Sequence, residues 1–271
     1  MTDPLLAILH SGLKVYDLGR PMFVGMPQSP NHPSYSHVLP RRHGDMVRAD
    51  GGSAANDLIV TGTHVGTHID ALAHVSHHGR LYGGADAARA AAGGRYLEHG
   101  VHTVPPMLRR GVLLDVPRAL GASTCEPAYE ITPEDLTATA KRQRVEVVPG
   151  DVVLIRSGWG RRFDDGPAYL GAETGVPGVG EAGAGWLASH GAVAAGADTI
   201  AFERITARNG HSVLPAHRVL LVEHGIYIVE AMDLEAVADA GLYEFLLVLV
   251  PLNLVGATGS PVRPLAVVSD G

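Results

Sequence analysis

His64, His68 and Asp70 fall within seven residues, in the stretch Thr63-His64-Val65-Gly66-Thr67-His68-Ile69-Asp70-Ala71-Leu72-Ala73-His74. Two imidazoles and a carboxylate at this spacing can form a metal-binding face with coordination positions left open. Open positions are what let water or a substrate reach the ion. His74 follows four residues after Asp70 and could serve as a nearby base. The same groups could instead form a hydrogen-bonded histidine cluster with no metal. Burying two imidazoles and a carboxylate is costly unless they are hydrogen-bonded or metal-bound, and a divalent ion offsets that cost, so the spacing favours metal.

Some element must hold these residues. A helix through His64 and His68 fails locally, because Gly62 and Gly66 interrupt it and Thr61, Thr63, Val65, Thr67 and Ile69 are β-branched. The pattern predicts a strand ending at His64, a sharp turn at Gly66, Thr67 as a cap, and a helix from about Ile69. That helix would set Asp70 and His74 one turn apart on the same side. Residues 57–60 read as the strand entering the motif. Further along, 85–93 reads as a short Ala-rich helix ended by Gly93-Gly94. Strands are predicted over 111–116, 152–155, 193–195, 226–229 and 245–250, with 265–268 as an edge strand. Thr132-Pro133-Glu134-Asp135 is a strong helix start, with a threonine cap, proline in the first position and acids in the first turn. Further helices are expected over 182–190, 217–224 and 234–240. The Gly-rich run 158–185 reads as a long loop, and 204–215 as a polar loop. Residues 15–43, rich in Pro, Gly, Ser and Asn, read as irregular, either covering a pocket or hugging the surface.

Helices are few and loops long, so the expected class is α/β: a single compact domain, 1–271, with a mixed β-sheet flanked by few helices, and 1–45 as an irregular N-terminal arm. Bulk properties narrow the function. The formal charge of −7 gives no basic field for nucleic acid or anionic lipid. The single cysteine, Cys125, provides neither an internal disulfide nor a thiolate metal cluster, which fits a cytoplasmic setting. The start Met1-Thr2-Asp3-Pro4-Leu5-Leu6 lacks the basic and apolar pattern of a signal peptide. The greasiest stretch, 245–255, is broken by Pro251 and Asn253 and falls short of the roughly 20 residues a membrane span needs. The expected partner is a small-molecule substrate, with no nucleic acid and no membrane.

The stretch from His64 to His74 resembles the signature H-x-G-T-H-x-D-x-x-x-H of the cyclase-like metal-dependent hydrolases, the family of bacterial kynurenine formamidase and isatin hydrolase. Other segments resemble that family in order: Asp17-Leu18-Gly19 with Gly25-Met26-Pro27, then Val153 to Trp159, then His217 to Leu221 with Gly225 to Glu230. The closing loop, Pro251-Leu252 with Gly256 to Pro264, does so too. The resemblance implies a swivelling β/β/α-like fold, His64, His68 and Asp70 as ligands of a first divalent metal, and His74 as the proton-transferring histidine. In two-metal members Asp70 would bridge to a second ion, for which His217 and Glu230 are the matching residues. The gap Val222-Glu223-His224 is about one residue longer than the family pattern, and Leu72-Ala73 stands where many relatives carry a proline. The implied cofactor is zinc or manganese, one or two ions, and the implied assembly a homodimer or homotetramer.

Weaker candidates remain. Phe23 and Trp159 could stack on an aromatic substrate, although core packing is the commoner fate of such residues. Glu203 and His211 could line the pocket, with a surface loop as the default. Asp198 has a turn-capping role as its alternative, and His77 and His78 read as a solvated loop. The favoured activity is hydrolysis of a C–N bond in a small amide or lactam, an aryl formamide or isatin-like compound, by metal-activated water and His74 as base. The alternatives are a polyketide-type cyclase or dehydratase on the same metal, a 2-His-1-carboxylate iron oxygenase, and a non-catalytic metal-binding module.

Overall fold

The computed structural model describes residues 12–270; the segment Met1 to Leu6 lies outside them. The described chain carries strands β1 (Leu13–Asp17), β2 (Ser36–Arg41), β3 (Asn56–Val60), β4 (His68–Asp70), β5 (Met107–Asp115), β6 (Glu130–Ile131) and β7 (Val152–Arg156). They continue with β8 (Gly178–Val179), β9 (Ala194–Ala197), β10 (Tyr227–Glu230), β11 (Glu244–Leu249), β12 (Gly259–Pro261) and β13 (Leu265–Ser269). Nine of them form one sheet in the order β1-β13-β11-β5-β7-β9-β10-β4-β12. The middle of that sheet, β5-β7-β9-β10, is parallel, and antiparallel strands extend it on both sides. This is the expected α/β class with a mixed sheet.

The central strands are apolar at nearly every position because both faces are covered. In β7, Val153 and Ile155 join the core on one face, and Val152 and Leu154 join the core on the other. The first face is covered by helices Pro133–Gln143 and Glu181–Ser189, through Leu136, Ala140, Ala184 and Leu187. Helix Pro133–Gln143 starts as its sequence dictates: the Thr132 hydroxyl accepts from the Asp135 N–H, and the Asp135 carboxylate accepts from the Thr132 N–H. Chain polarity then sends the carboxyl ends of the four parallel strands to one edge. Each ends at or just before a buried charged residue: Asp115, Arg156, Asp198 and Glu230. Open α/β sheets bind ligands at that edge.

Several expected elements differ. The predicted helix from Ile69 is absent, and His68–Asp70 is instead a strand held between β10 and β12. The β-branched Thr67 and Ile69 suit a strand better than a first helical turn. Residues 265–268 form no edge, because β1 pairs outside β13. The irregular arm therefore opens on one strand, β1, and runs into another, β2, which pairs with β3 in a separate two-stranded sheet. The loop at 158–185 contains a 3-10 turn at Trp159–Arg162, a short helix at Gly166–Leu170, strand β8 and the first turns of helix Glu181–Ser189. No helix among the described residues is long and apolar enough to cross a membrane.

Candidate metal centre

Strand alternation builds the site. In β4, His68 and Asp70 point to one face while Ile69 between them enters the core. Glu230 lies directly opposite His68 in the β10 register, so its carboxylate joins the same face. Gly66, at φ 69°, makes the turn that returns His64 over this face. Thr67 does not cap a helix. Its hydroxyl donates to the Ala231 carbonyl at 2.7 Å and accepts from the Arg20 N–H at 2.9 Å, tying the turn to the end of β10. Gly259 in β12 must lack a side chain, since a Cβ there would strike the His64 ring.

All six residues named for metal and proton transfer meet here. His64 Nδ1 lies 2.7 Å from Asp70 Oδ1, and its Nε2 lies 2.9 Å from the Thr258 hydroxyl. His68 donates from Nδ1 to the Gly66 carbonyl at 2.8 Å, which turns Nε2 inward, 3.5 Å from Asp70 Oδ1 and 3.4 Å from Glu230 Oε2. His217, at the end of helix Pro215–His217, presents Nε2 at 3.1 Å from Glu230 Oε1 and 3.6 Å from Asp70 Oδ2. The His74 ring stacks on His64 with centroids 3.8 Å apart. Two triads, His64-Asp70-His74 and His68-Asp70-Glu230, bring ligand atoms within 4.8 Å of one another, and Asp70 belongs to both.

Donor chemistry tests the fit to a cation. Asp70 Oδ2 and Glu230 Oε1 are buried and accept no well-formed hydrogen bond, although each faces His217 Nε2, at 3.6 and 3.1 Å. A buried carboxylate oxygen without a formed hydrogen bond is costly, and two of them among four imidazoles fit a divalent ion. The electrostatics agree. Burial opposes charge on Asp70, yet His74, His217 and His64 hold its carboxyl well below the usual range. Burial and Asp70 push the Glu230 carboxyl up, but His217 and His68 bring it down to about 2. Burial likewise opposes protonation of His68, while Glu230 and Asp70 raise it to about 9. The buried carboxylates thus favour positive charge beside them, which a bound metal would supply in place of imidazolium protons. His74 differs, because burial lowers it to about 4.

Two groups that sequence reasoning left to a surface loop belong to the site. Glu203 is buried and accepts from His217 Nδ1 at 2.6 Å and from the backbone N–H groups of Ala216 and His217 at 3.0 and 3.1 Å. Its bond fixes the tautomer that leaves His217 Nε2 as the inward donor atom. His211, with Ser29 and His32, lines the cavity over the cluster, and the His32 ring stacks on His64 at 5.3 Å. Thr258 was also missed as an individual contact, although its loop was singled out. Left-handed backbone at Phe202 and Ala231, φ 56° and 52°, sits immediately beside Glu203 and Glu230. Strain of this kind concentrates where side chains must be aimed.

The remaining candidates lie elsewhere. Trp159 is fully buried, donating from Nε1 to the Tyr169 carbonyl at 2.8 Å, and so cannot stack on a substrate from that position. Phe23 is half exposed and does not line the cluster cavity. Asp198 is buried and accepts from the Ser157 N–H and hydroxyl, a bracket for the turn after β7. His77 and His78 are exposed. Cys125 is buried away from the cluster, and burial pushes its thiol up to about 12.

Comparison with known proteins places this geometry in a family context. The "Cyclase" family model matches residues 16–204. An isatin hydrolase of Roseibium aggregatum is 27% identical over 223 residues, covering 81% of this chain and 77% of that protein. The crystal structure of a novel cyclase superposes with a TM-score of 0.84 at 29% identity, covering 98% of this chain and 93% of that one. Isatin hydrolase A from Ralstonia solanacearum has the same fold, with a TM-score of 0.76 at 20% identity over 99% of this chain and 98% of its own. The family match ends before His217 and Glu230, so the case for these two residues rests on their position in the structure.

Proposed function

The chain belongs to the cyclase family, and on that premise we propose that it is a metal-dependent hydrolase that cleaves a C–N bond of a small amide or lactam. The observation that carries this reading is the pair of buried oxygens without a formed hydrogen bond, Asp70 Oδ2 and Glu230 Oε1, set among His64, His68, His74 and His217. His64, His68 and Asp70 would hold a first ion, and Asp70, His217 and Glu230 a second. Nitrogen and oxygen donors without a thiolate suit zinc or manganese. When bound, such an ion supplies Lewis acidity toward a carbonyl oxygen and a water of lowered pKa.

The chain's own groups do the rest. His68 is oriented by its bond to the Gly66 carbonyl and His217 by Glu203, so neither ring must reorganise during turnover. Among the described residues, no side-chain hydrogen bond commits a ring nitrogen of His74. Stacked on His64 at the cavity wall, His74 can take a proton from water and return it to the leaving nitrogen. Without that path the nitrogen would have to leave unprotonated, as a poor leaving group.

The homodimer or homotetramer implied by resemblance is retained as part of this reading. The β2–β3 sheet exposes Val38, Leu58 and Ile59, which supports it. The test of the activity is a panel of N-formyl aryl amides and cyclic amides offered to protein reconstituted with zinc or manganese. Chelator-sensitive release of carboxylate and amine is expected. Turnover of polyketide substrates with no amide hydrolysis would replace this reading with the cyclase alternative, and oxygen uptake would replace it with an oxygenase.

A further inference from the structure

The cavity directly over the cluster has a volume of about 30 Å³. A water needs roughly 10–15 Å³ on the same measure, so this space holds two or so small oxygens and no substrate body. The rest of any substrate must lie in an adjoining space. A neighbouring cavity of about 240 Å³ shares Ser29, Ile200 and His211 with the cluster cavity. Three larger cavities among the described residues, of about 650, 400 and 410 Å³, share no lining residue with it.

This annex is walled by the aliphatic side chains of Leu170, Ile200 and Ile205, with Ala172 at its exposed side. A dry apolar cavity of roughly 150 Å³ is enough to take up benzene. The annex therefore has room for one ring and a short substituent. Of its polar groups, the buried Ser29 hydroxyl and His211 Nδ1 stand at the shared wall, 3.4 Å apart; Asn31 Nδ2 lies 3.5 Å from the same nitrogen, and Gln28 also lines the annex. A largely apolar lining with a few placed polar groups is the usual form of a small-molecule site.

We propose that the annex is the subsite for the non-reacting part of the substrate, a compact apolar group of about one ring, with Ser29 and His211 meeting the polar atoms that join it to the scissile carbonyl. The assignment rests on the hydrolase reading of the neighbouring cluster. It replaces the aromatic stacking expected of Phe23 and Trp159 with aliphatic walls supplied by the end of helix Gly166–Leu170 and by the segment after Asp198.

Benzamide, titrated into the metal-free full chain labelled at leucine and isoleucine methyls, gives a readout that needs neither metal nor turnover. The expected result is shifts at Leu170, Ile200 and Ile205, with affinity at least tenfold weaker in Ala172→Phe and, as a second block, in Leu170→Trp. Unshifted methyls at saturation, or wild-type affinity in both variants, would overturn the assignment. In the zinc- or manganese-loaded protein, Ala172→Phe should lower the ratio of kcat/KM for N-phenylformamide to that for N-methylformamide at least tenfold, and an unchanged ratio would overturn it as well. If neither these formamides nor the cyclic amides are hydrolysed, the hydrolase reading fails, while the methyl shifts still decide whether the annex binds an apolar ring.

Discussion

Glu203→Gln isolates the support behind one side of the cluster. Glu203 accepts three hydrogen bonds, from Ala216 N–H on one oxygen and from His217 N–H and Nδ1 on the other. A glutamine keeps the shape but offers one acceptor oxygen, and its amide group must then face at least one of those donors. The least costly arrangement keeps both His217 bonds and orphans Ala216 N–H, a buried loss of about 1–3 kcal/mol. For a chain of this size that is a fall in Tm of roughly 2–5 °C. The negative charge behind His217 is lost as well, so Nε2 becomes a poorer donor atom. Loss of such an orienting carboxylate typically weakens metal binding about 10–100-fold, or about 1.4–2.7 kcal/mol. Competition against a calibrated zinc chelator measures the affinity, and calorimetry of the metal-free protein measures the stability separately. A variant that is folded and binds metal within twofold of wild type would refute the claim that Glu203 acts through His217.

Other perturbations probe neighbouring parts of the account. Gly259→Ala places a Cβ against the His64 ring and 2.8 Å from the Ile69 carbonyl, so metal affinity should drop at least about tenfold while global stability changes less; an unaltered chelator titration would contradict this. His74→Ala should keep metal content and lower kcat by about 10²–10⁴-fold, as read by steady-state kinetics on a hydrolysed amide. Arg156 bridges Asp115 at 2.7 Å and Glu235 at 2.8 Å with little exposure. Arg156→Met, which leaves the buried Asp115 carboxylate only the half-exposed Arg118 as a charged partner, should cost up to about 3–5 kcal/mol in denaturant unfolding. Burial opposes charge on Glu235, but Arg156 and Arg161 hold its carboxyl below 4.5. Its stabilisation is therefore complete above that value and is lost as pH falls through the lower native one. Glu235→Gln should flatten that part of the acid-stability curve, and a curve of unchanged shape would count against the network.

Much of this was legible where the signal is local. The cap at Thr132, the apolar run of β7 and the short-range cluster from His64 to His74 each carry their information within about a dozen residues. The helix expected from Ile69 failed because the partners that make β4 a strand, Glu230 and Pro261, come from distant parts of the chain. The pleat of β4 and its register with β10, rather than a helical turn, align His68, Asp70 and Glu230. Thr258 reaches His64 across 194 residues, and no periodicity near either residue announces that contact. Glu203 looked like part of a polar loop because its burial depends on helix Pro215–His217 folding over it. Trp159 misled for the opposite reason: an indole after a strand suits a pocket as well as a core, and Tyr169, ten residues on, settles it inside.

The central claim is that the Asp70-centred cluster binds a divalent cation. Elemental analysis of the protein after zinc or manganese loading and desalting, run beside Asp70→Asn, tests it most directly. One or two equivalents per chain in wild type, stripped by chelator together with activity and missing from the variant, is the predicted result. Equal metal in the two proteins, or none in wild type with chelator harmless to turnover, would contradict it.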